Sequence, residues 1–394
     1  MKRLTANVFV MSIAVLLLAS GSLRAQYTWN GSADTNWQNS ANWDESGYPG
    51  NWDNVTLPDI DPTAVNQPDL KGFWKQNTAL TFERAGWTIS DTVGGGGVSV
   101  RNTRIVSRGA GVNEIAANLR FDEDGGDFRV ESGNTLVVSG LFSVNMWSGS
   151  LFLDFTDEAG GTGPAGKTVL LDVFDTANPP SGGGAYWNVN VGTGTVIYGD
   201  QARHSNLTVS NDATAYFGDG ILAGLNTVFG DNSTLAVGGD GEYGGSEIDT
   251  ISFQKLRNWG GQDFGINMNG SSTLAVDFSS AAADRIEINS VSGETVHFNM
   301  GATTNLALDG VCAAGTTHTL IDHVGAGSFY FGNNGTFGSV LLNGELVDPS
   351  ADPRLDLSYA GGSLDVTFNE AIIPEPSAVV LFAVGALAML YRRR

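Results

Sequence analysis

From about Gly94 onward, apolar and polar residues alternate in short bursts separated by small polar turns. Four bursts share a refrain: GNTLVVSG (133–140), NSTLAVGG (232–239), SSTLAVDF (271–278) and TTNLALDG (303–310). HSNLTVSN (204–211) is a weaker copy. Side chains alternate across a strand, so Leu235 and Val237, or Leu274 and Val276, point toward one core. One such strand cannot bury its apolar face alone, whereas stacked copies cover one another. The copies recur at irregular intervals (Leu235, Leu274, Leu306), which fits coils with inserted loops better than propeller blades of fixed length. The pattern predicts an all-β chain, a right-handed parallel β-helix or β-solenoid with capped ends. An antiparallel β-sandwich pair is the alternative.

The last alternating burst, RLDLSYAGGSLDVTF, reads as a hairpin around Ala360-Gly361-Gly362. Leu355, Leu357 and Tyr359 would oppose Leu364, Val366 and Phe368 on one face and cover the final sheet edge.

Both ends depart from this pattern. MKRLTANVFVMSIAVLLLASGSLRAQ places Lys2 and Arg3 before an apolar run and then small residues, the layout of a secretory signal peptide cut after Ala25. An uncleaved anchor is the alternative. At the other end, Ser377 to Tyr391 is nearly all apolar and spans roughly 22 Å as a helix, short of a hydrocarbon core about 30 Å thick. Arg392, Arg393 and Arg394 form a cytoplasmic stop. Such a segment suits transient inner-membrane insertion better than permanent anchoring. The chain therefore divides into a signal peptide (1–25), a Trp-rich N-terminal cap region (26–93), solenoid repeats (94–343), a C-terminal hairpin cap (344–369), and a linker with the tail (370–394).

Composition sharpens the picture. The 394 residues include 53 glycines, without a collagen period, which suits many short strands joined by tight turns. Only 20 residues are Lys or Arg against 42 Asp or Glu, a net charge of −22 that excludes a nucleic-acid partner. Cys312 is the single cysteine, so no internal disulfide is possible.

Pro374-Glu375-Pro376, one apolar helix and a terminal arginine cluster, in that order and behind a signal peptide, resemble the PEP-CTERM sorting signal of exported bacterial proteins. The resemblance covers about the last 21 residues. It implies that Pro374, Glu375 and Pro376 are recognised by an exosortase-type processing enzyme, which removes the tail near the triplet. The destination implied is the cell envelope, outer surface or extracellular matrix. A simple tail anchor remains the alternative. The opening YTWNGSADTNWQNSANWDESGYPGNWDNVTLP carries Trp29, Trp37, Trp43 and Trp52, which suit either stacking on sugar rings or plugging the open end of a solenoid. Its W-N-G…N-W…A-N-W pattern is similar to the opening of autotransporter-like and PEP-CTERM β-solenoid proteins, which implies the plug.

Three stretches resemble chemical motifs. GTGPAGKT (161–168) satisfies the P-loop expression, but VLLDVFDTANPP behind it reads as a strand where that motif needs a helix N-terminus. FDEDGGDF holds Asp122, Glu123, Asp124 and Asp127. These suit a solvated turn, adventitious calcium, or, on one strand face, a pair of catalytic acids. GGDGEYGGSEID, with Asp240, Glu242, Glu247 and Asp249, resembles calcium-binding glycine-rich repeats but lacks their aspartate spacing. Among His204, His297, His318 and His323, His318 would share a strand face with Asp322 while His323 points opposite, so no local three-ligand metal cluster forms.

Function is then expected to be that of an exported, non-enzymatic envelope or matrix protein, structural or adhesive, without cofactor or metal. Its expected partners are the processing enzyme and extracellular polysaccharide. Two alternatives are a polysaccharide-degrading enzyme using Asp122 and Asp124 near Phe121, Phe128 and Trp147, and a carbohydrate-binding module built on the tryptophans.

Overall fold

A computed structural model describes residues 25–373 apart from internal segments at 146–149, 162, 164, 174–185, 200–201, 204–205, 211, 219, 224–225, 244–247, 255–263 and 333–335. The segment before Ala25, expected to be a signal peptide, and the tail from Pro374 to Arg394 lie outside the described residues. So do His204, Glu247 and Trp147.

The alternating bursts form strands that pair in parallel with their counterparts one coil away, in a sheet of 23 strands and a second of seven. This is a β-solenoid, not a sandwich pair; among the described residues antiparallel strand ladders are confined to the far end. Among the described residues the regular helical pieces are two short 3₁₀ turns, Ser40–Asn42 and Pro62–Ala64.

Each coil visits three faces. The first face runs from Gln26–Thr28 through Asp53–Leu57 and onward to Thr295–Met300 and Ser328–Phe331. Its inward row stacks Val55, Leu80, Ile105, Phe128 and Phe155 in register. The second face carries the refrain. Leu235 stands directly on Leu274, and Leu274 on Leu306, despite their unequal spacing in sequence. HSNLTVSN does not join that column: Leu207 pairs with Val189 and Thr227 on the first face. Its resemblance to the refrain reflects only a shared strand chemistry. The third face comprises, in the C-terminal half, Ala202–Arg203, Gly220–Ala223, Thr250–Gln254, Arg285–Ser290 and Thr316–Gly325. In the N-terminal half, long strands such as Gly97–Ser107 and Asn118–Val130 bend from the third face into the first.

One continuous core extends from Trp29 to Ile372. The corner ahead of the second face explains the small residues that open each refrain. Asn134, Gly166, Gly194, Ala213, Ser233, Ser272, Thr304 and Gly338 precede successive rungs, and from Thr195 to Asn305 the first rung residue bonds back to the corner carbonyl before it, as Thr234 N–H does to Ala213 and Thr273 N–H to Ser233; at the last corner Gly338 N–H itself bonds to Thr304. At Gly166, Gly194 and Gly338 even a Cβ would collide with the coil behind it, 2.2 to 2.7 Å from a backbone oxygen.

The end of the chain closes as a hairpin, Leu355–Ala360 with Ser363–Phe368, pairing Leu355 with Phe368, Leu357 with Val366 and Tyr359 with Leu364. Gly361 and Gly362 turn it with φ of +64° and +97°, the left-handed region a two-residue hairpin loop requires. Ser363–Phe368 then pairs antiparallel with Thr316–Gly325.

Candidate functional site

At the N-terminal end Trp29, Trp37 and Trp43 are buried against one another, with ring centroids 4.9 to 6.2 Å apart. The Trp29 indole N–H donates to the Asn66 carbonyl at 2.8 Å, and that of Trp43 to the Trp37 carbonyl at 2.8 Å. Rings engaged in this way offer no face to a sugar. The exposed aromatics are different residues: Tyr48, Phe73 and Trp74. The Lys75 ammonium lies 4.9 Å from the Tyr48 ring centroid and 5.8 Å from that of Phe73. On the neighbouring surface the Arg120 guanidinium lies 4.6 Å over Trp74. Lys75 is in register with inward-facing Val98, so its stem enters the core end and burial lowers its pKa. Sequence pattern pointed to the tryptophans because they are conspicuous. Tyr48, Phe73 and Lys75 meet through a loop-to-strand contact that no local spacing announces.

The P-loop look-alike is a coil corner. A Cβ on Gly166 would stand 2.2 Å from the Asn134 carbonyl oxygen, so glycine is demanded by stacking. Lys167 opens the strand Lys167–Val173, as the residues behind the motif predicted, and no helix follows to hold phosphate. Its ammonium is bound by the carboxylates of Asp240 and Glu242. Burial disfavours the charge of Lys167, but the two acids outweigh it and hold the ammonium above its usual pKa. These acids belong to the GGDGEYGG loop, whose Tyr243 packs on Val137, Val169 and Ile197, an apolar row on the outside of the second face. The part of that stretch with Asp240, Glu242 and Tyr243 is thus a strap over the solenoid wall. Among the described residues no group of three or more His, Cys, Asp or Glu side chains is arranged to hold a metal ion.

The acid-rich FDEDGGDF is not a hairpin turn. It lies within Asn118–Val130, where the register shift against Gly97–Ser107 and the positive φ of Gly125 mark the bend between faces. The side chains of Asp122, Glu123 and Asp124 lie outside the described residues. Asp127 forms an ion pair with Arg129 at 2.5 Å.

A second acidic cluster was missed by sequence reasoning. Asp284 is fully buried, and its two carboxylate oxygens accept the backbone N–H groups of Asp249 at 2.8 Å and Asp277 at 2.7 Å. Burial nevertheless pushes its pKa up to about 7, against the pull of those two bonds. Asp284 clamps the turn between the second and third faces to the start of the previous coil's strand. No sequence spacing could show this, because the partners are backbone amides.

The histidines also part from expectation. A bulge between Thr319 and Ile321 breaks the alternation of Thr316–Gly325, so simple parity cannot place His318 and His323. His318 is buried and its Nε2 lies 2.8 Å from the Ser279 carbonyl. His323 Nε2 lies 2.7 Å from Ser290 Oγ, with its ring stacked on Phe329. A serine beside an imidazole has the separation of a nucleophile and its base. Ser290, however, is buried in the third face and the pair serves to close the last coil.

Of the residues expected to mark processing, Ala25 is described and exposed. Its carbonyl accepts the Asn54 N–H at 2.9 Å, tying it to the first rung. Near the other end, Ile372 and Cys312 exchange backbone hydrogen bonds of 2.9 and 3.1 Å. Cys312 is buried, which raises its pKa and leaves the thiol inert. The body is a parallel β-solenoid; no family model matches the chain, and no curated protein or solved structure matches it either.

Proposed function

We propose that this chain is an exported structural or adhesive protein of the cell envelope or extracellular matrix, a right-handed acidic β-solenoid delivered by a C-terminal PEP-type signal. In this reading the leader is removed after Ala25. The tail then enters the inner membrane transiently, held by Arg392, Arg393 and Arg394, until an exosortase-type enzyme recognises Pro374, Glu375 and Pro376 and cuts beside them. The observation that carries the reading is the tail itself: a proline-flanked acid, an apolar stretch too short for lasting anchorage, and an arginine stop. Support comes also from where the body stops. Ile372 is pinned to Cys312, so the body is held in place up to two residues ahead of the triplet in sequence. The polar chemistry of the body supports a non-enzymatic role, because Lys167, Asp240, Asp284 and His318 are each engaged in holding coils, corners or the strap, and Asp127 is paired with Arg129 on its own strand.

Intact mass of the native secreted protein tests both cuts together. The expected product starts at Gln26 and ends near Pro374. Native material that keeps Arg394 and sediments with the inner membrane would contradict the proposal. Removal of 374–394 is expected to abolish surface delivery while leaving the exported body folded.

A further inference from the structure

The N-terminal end contains a charge the fold does not neutralise. Lys75 is 9% exposed, and among the described residues it has no ion-pair partner; its ammonium faces only the rings of Tyr48 and Phe73. The acids of the adjoining turns are committed elsewhere. Asp53 accepts the Gly50 N–H, Asp91 accepts those of Gly72 and Gly96, and Asp69 holds Thr92 and Lys71. In a chain of net charge −22 such isolation is unusual, since almost any neighbouring carboxylate would relieve it. The two rings are 43% and 48% exposed, so each keeps a solvent-facing surface beside the cation. A flat apolar face next to a poorly solvated ammonium matches one ligand chemistry well: a pyranose ring carrying a carboxylate. The sugar's C–H face packs on the aromatic ring while its carboxylate takes the place of the missing counter-ion.

We infer that Tyr48, Phe73 and Lys75 form a binding site for an acidic sugar residue of a polyuronate chain. The inference deepens the adhesive role proposed above, and its physiological meaning rests on that role, but the binding itself does not depend on sorting. The surrounding acidic surface repels polyanions in general, so the ring contacts must add to the charge contact. Selectivity for uronate over an acidic polypeptide follows, because a polypeptide lacks a rigid apolar face for Phe73 and Tyr48.

The test is affinity electrophoresis of the purified full chain in gels containing polygalacturonate, dextran or polyglutamate. Retardation by polygalacturonate alone is expected. Lys75→Met should weaken it about tenfold or more. Its melting temperature should be kept or raised, since the variant removes a desolvated charge and retains the buried stem. Phe73→Ala, at an exposed ring, should weaken retention without unfolding the chain. Undiminished retention of Lys75→Met, no retention of the parent chain, or equal retention by dextran or polyglutamate would each overturn the site. Surface delivery of Lys75→Met reads the sorting proposal separately: normal delivery with lost retention supports both, and failure of tail-dependent delivery leaves the binding result standing.

Discussion

Asp284 shows how one side chain sets a property of the whole coil. Its carboxylate is the brace between the Asp249 and Asp277 backbones, yet burial holds its pKa at about 7, well above the ordinary 3.8. Between those two values the folded chain binds a proton that the unfolded chain releases. The folded state is therefore favoured by this group at low pH, and that contribution is lost as pH rises toward 7. Asp284→Asn removes the ionisation. It keeps one carbonyl acceptor and turns an N–H₂ toward the other amide, which adds a fixed cost. The melting temperature of the parent relative to this variant should fall between pH 4 and pH 7 and level off above. Parallel curves across that range would mean that Asp284 ionises in the folded chain at the same pH as in the unfolded one. Asp69 has the opposite sign: burial disfavours its charge, but Lys71 and Thr92 outweigh that and hold its pKa at about 2. Its contribution is present above pH 3.8 and lost in strong acid, so the comparison must use the difference between variants and not the raw curve.

At the scale of elements, the strap that crosses the second face is fastened by Lys167 to Asp240 and Glu242 and by Tyr243 to the row of Val137, Val169 and Ile197. Lys167→Ala leaves the nearly buried Asp240 carboxylate without its cation, at a cost of about 1–3 kcal/mol. The loss should appear as local opening: faster proteolytic nicking between Gly238 and Asp249, with the cooperative melting of the solenoid little changed. Equal nicking of parent and variant would show that the tyrosine contact alone holds the strap. The strap also marks the boundary of what was legible in the sequence. The refrain revealed the second face, because period-two alternation with a small residue ahead of it is imposed by stacking, and Leu235, Leu274 and Leu306 align as read. The terminal hairpin was legible for the same reason, with Gly361-Gly362 as its signal. Contacts between coils left no such mark. Lys167 meets Asp240 only because the strap reaches back along the wall past the rungs of Thr195 and Thr214, and Ser290 meets His323 only because an intervening loop of arbitrary length lays their strands side by side. Parity failed at Thr319, where a bulge puts Leu320 and Ile321 both inside. The aromatic end was half legible: the number of tryptophans announced a structured end, but not that Tyr48 and Phe73 would be the rings left outside.

For the whole molecule, the governing fact is that a parallel stack has two ends, and each must refuse further copies of itself. At the N-terminal end the interlocked tryptophans replace a coil. At the C-terminal end the final third-face strand, Thr316–Gly325, would present a row of unpaired backbone groups, but Ser363–Phe368 occupies it in antiparallel sense and Leu355–Ala360 covers that strand in turn. The antiparallel sense matters, because the solenoid propagates by parallel pairing and a reversed strand offers the next copy the wrong ladder. Two chains that both lack residues 374–394 separate this cap from the proposed delivery. One ends at Ile373 and keeps the hairpin; the other ends at Asp348 and loses it. The first should remain monomeric in size-exclusion chromatography with light scattering. The second should self-associate at micromolar concentration, since it exposes both the strand edge and the buried surface formerly under Leu364, Val366 and Phe368. A monomeric chain ending at Asp348 would show that the inner coils do not need the hairpin to stay separate, and would leave the proposed processing as the role to test for it.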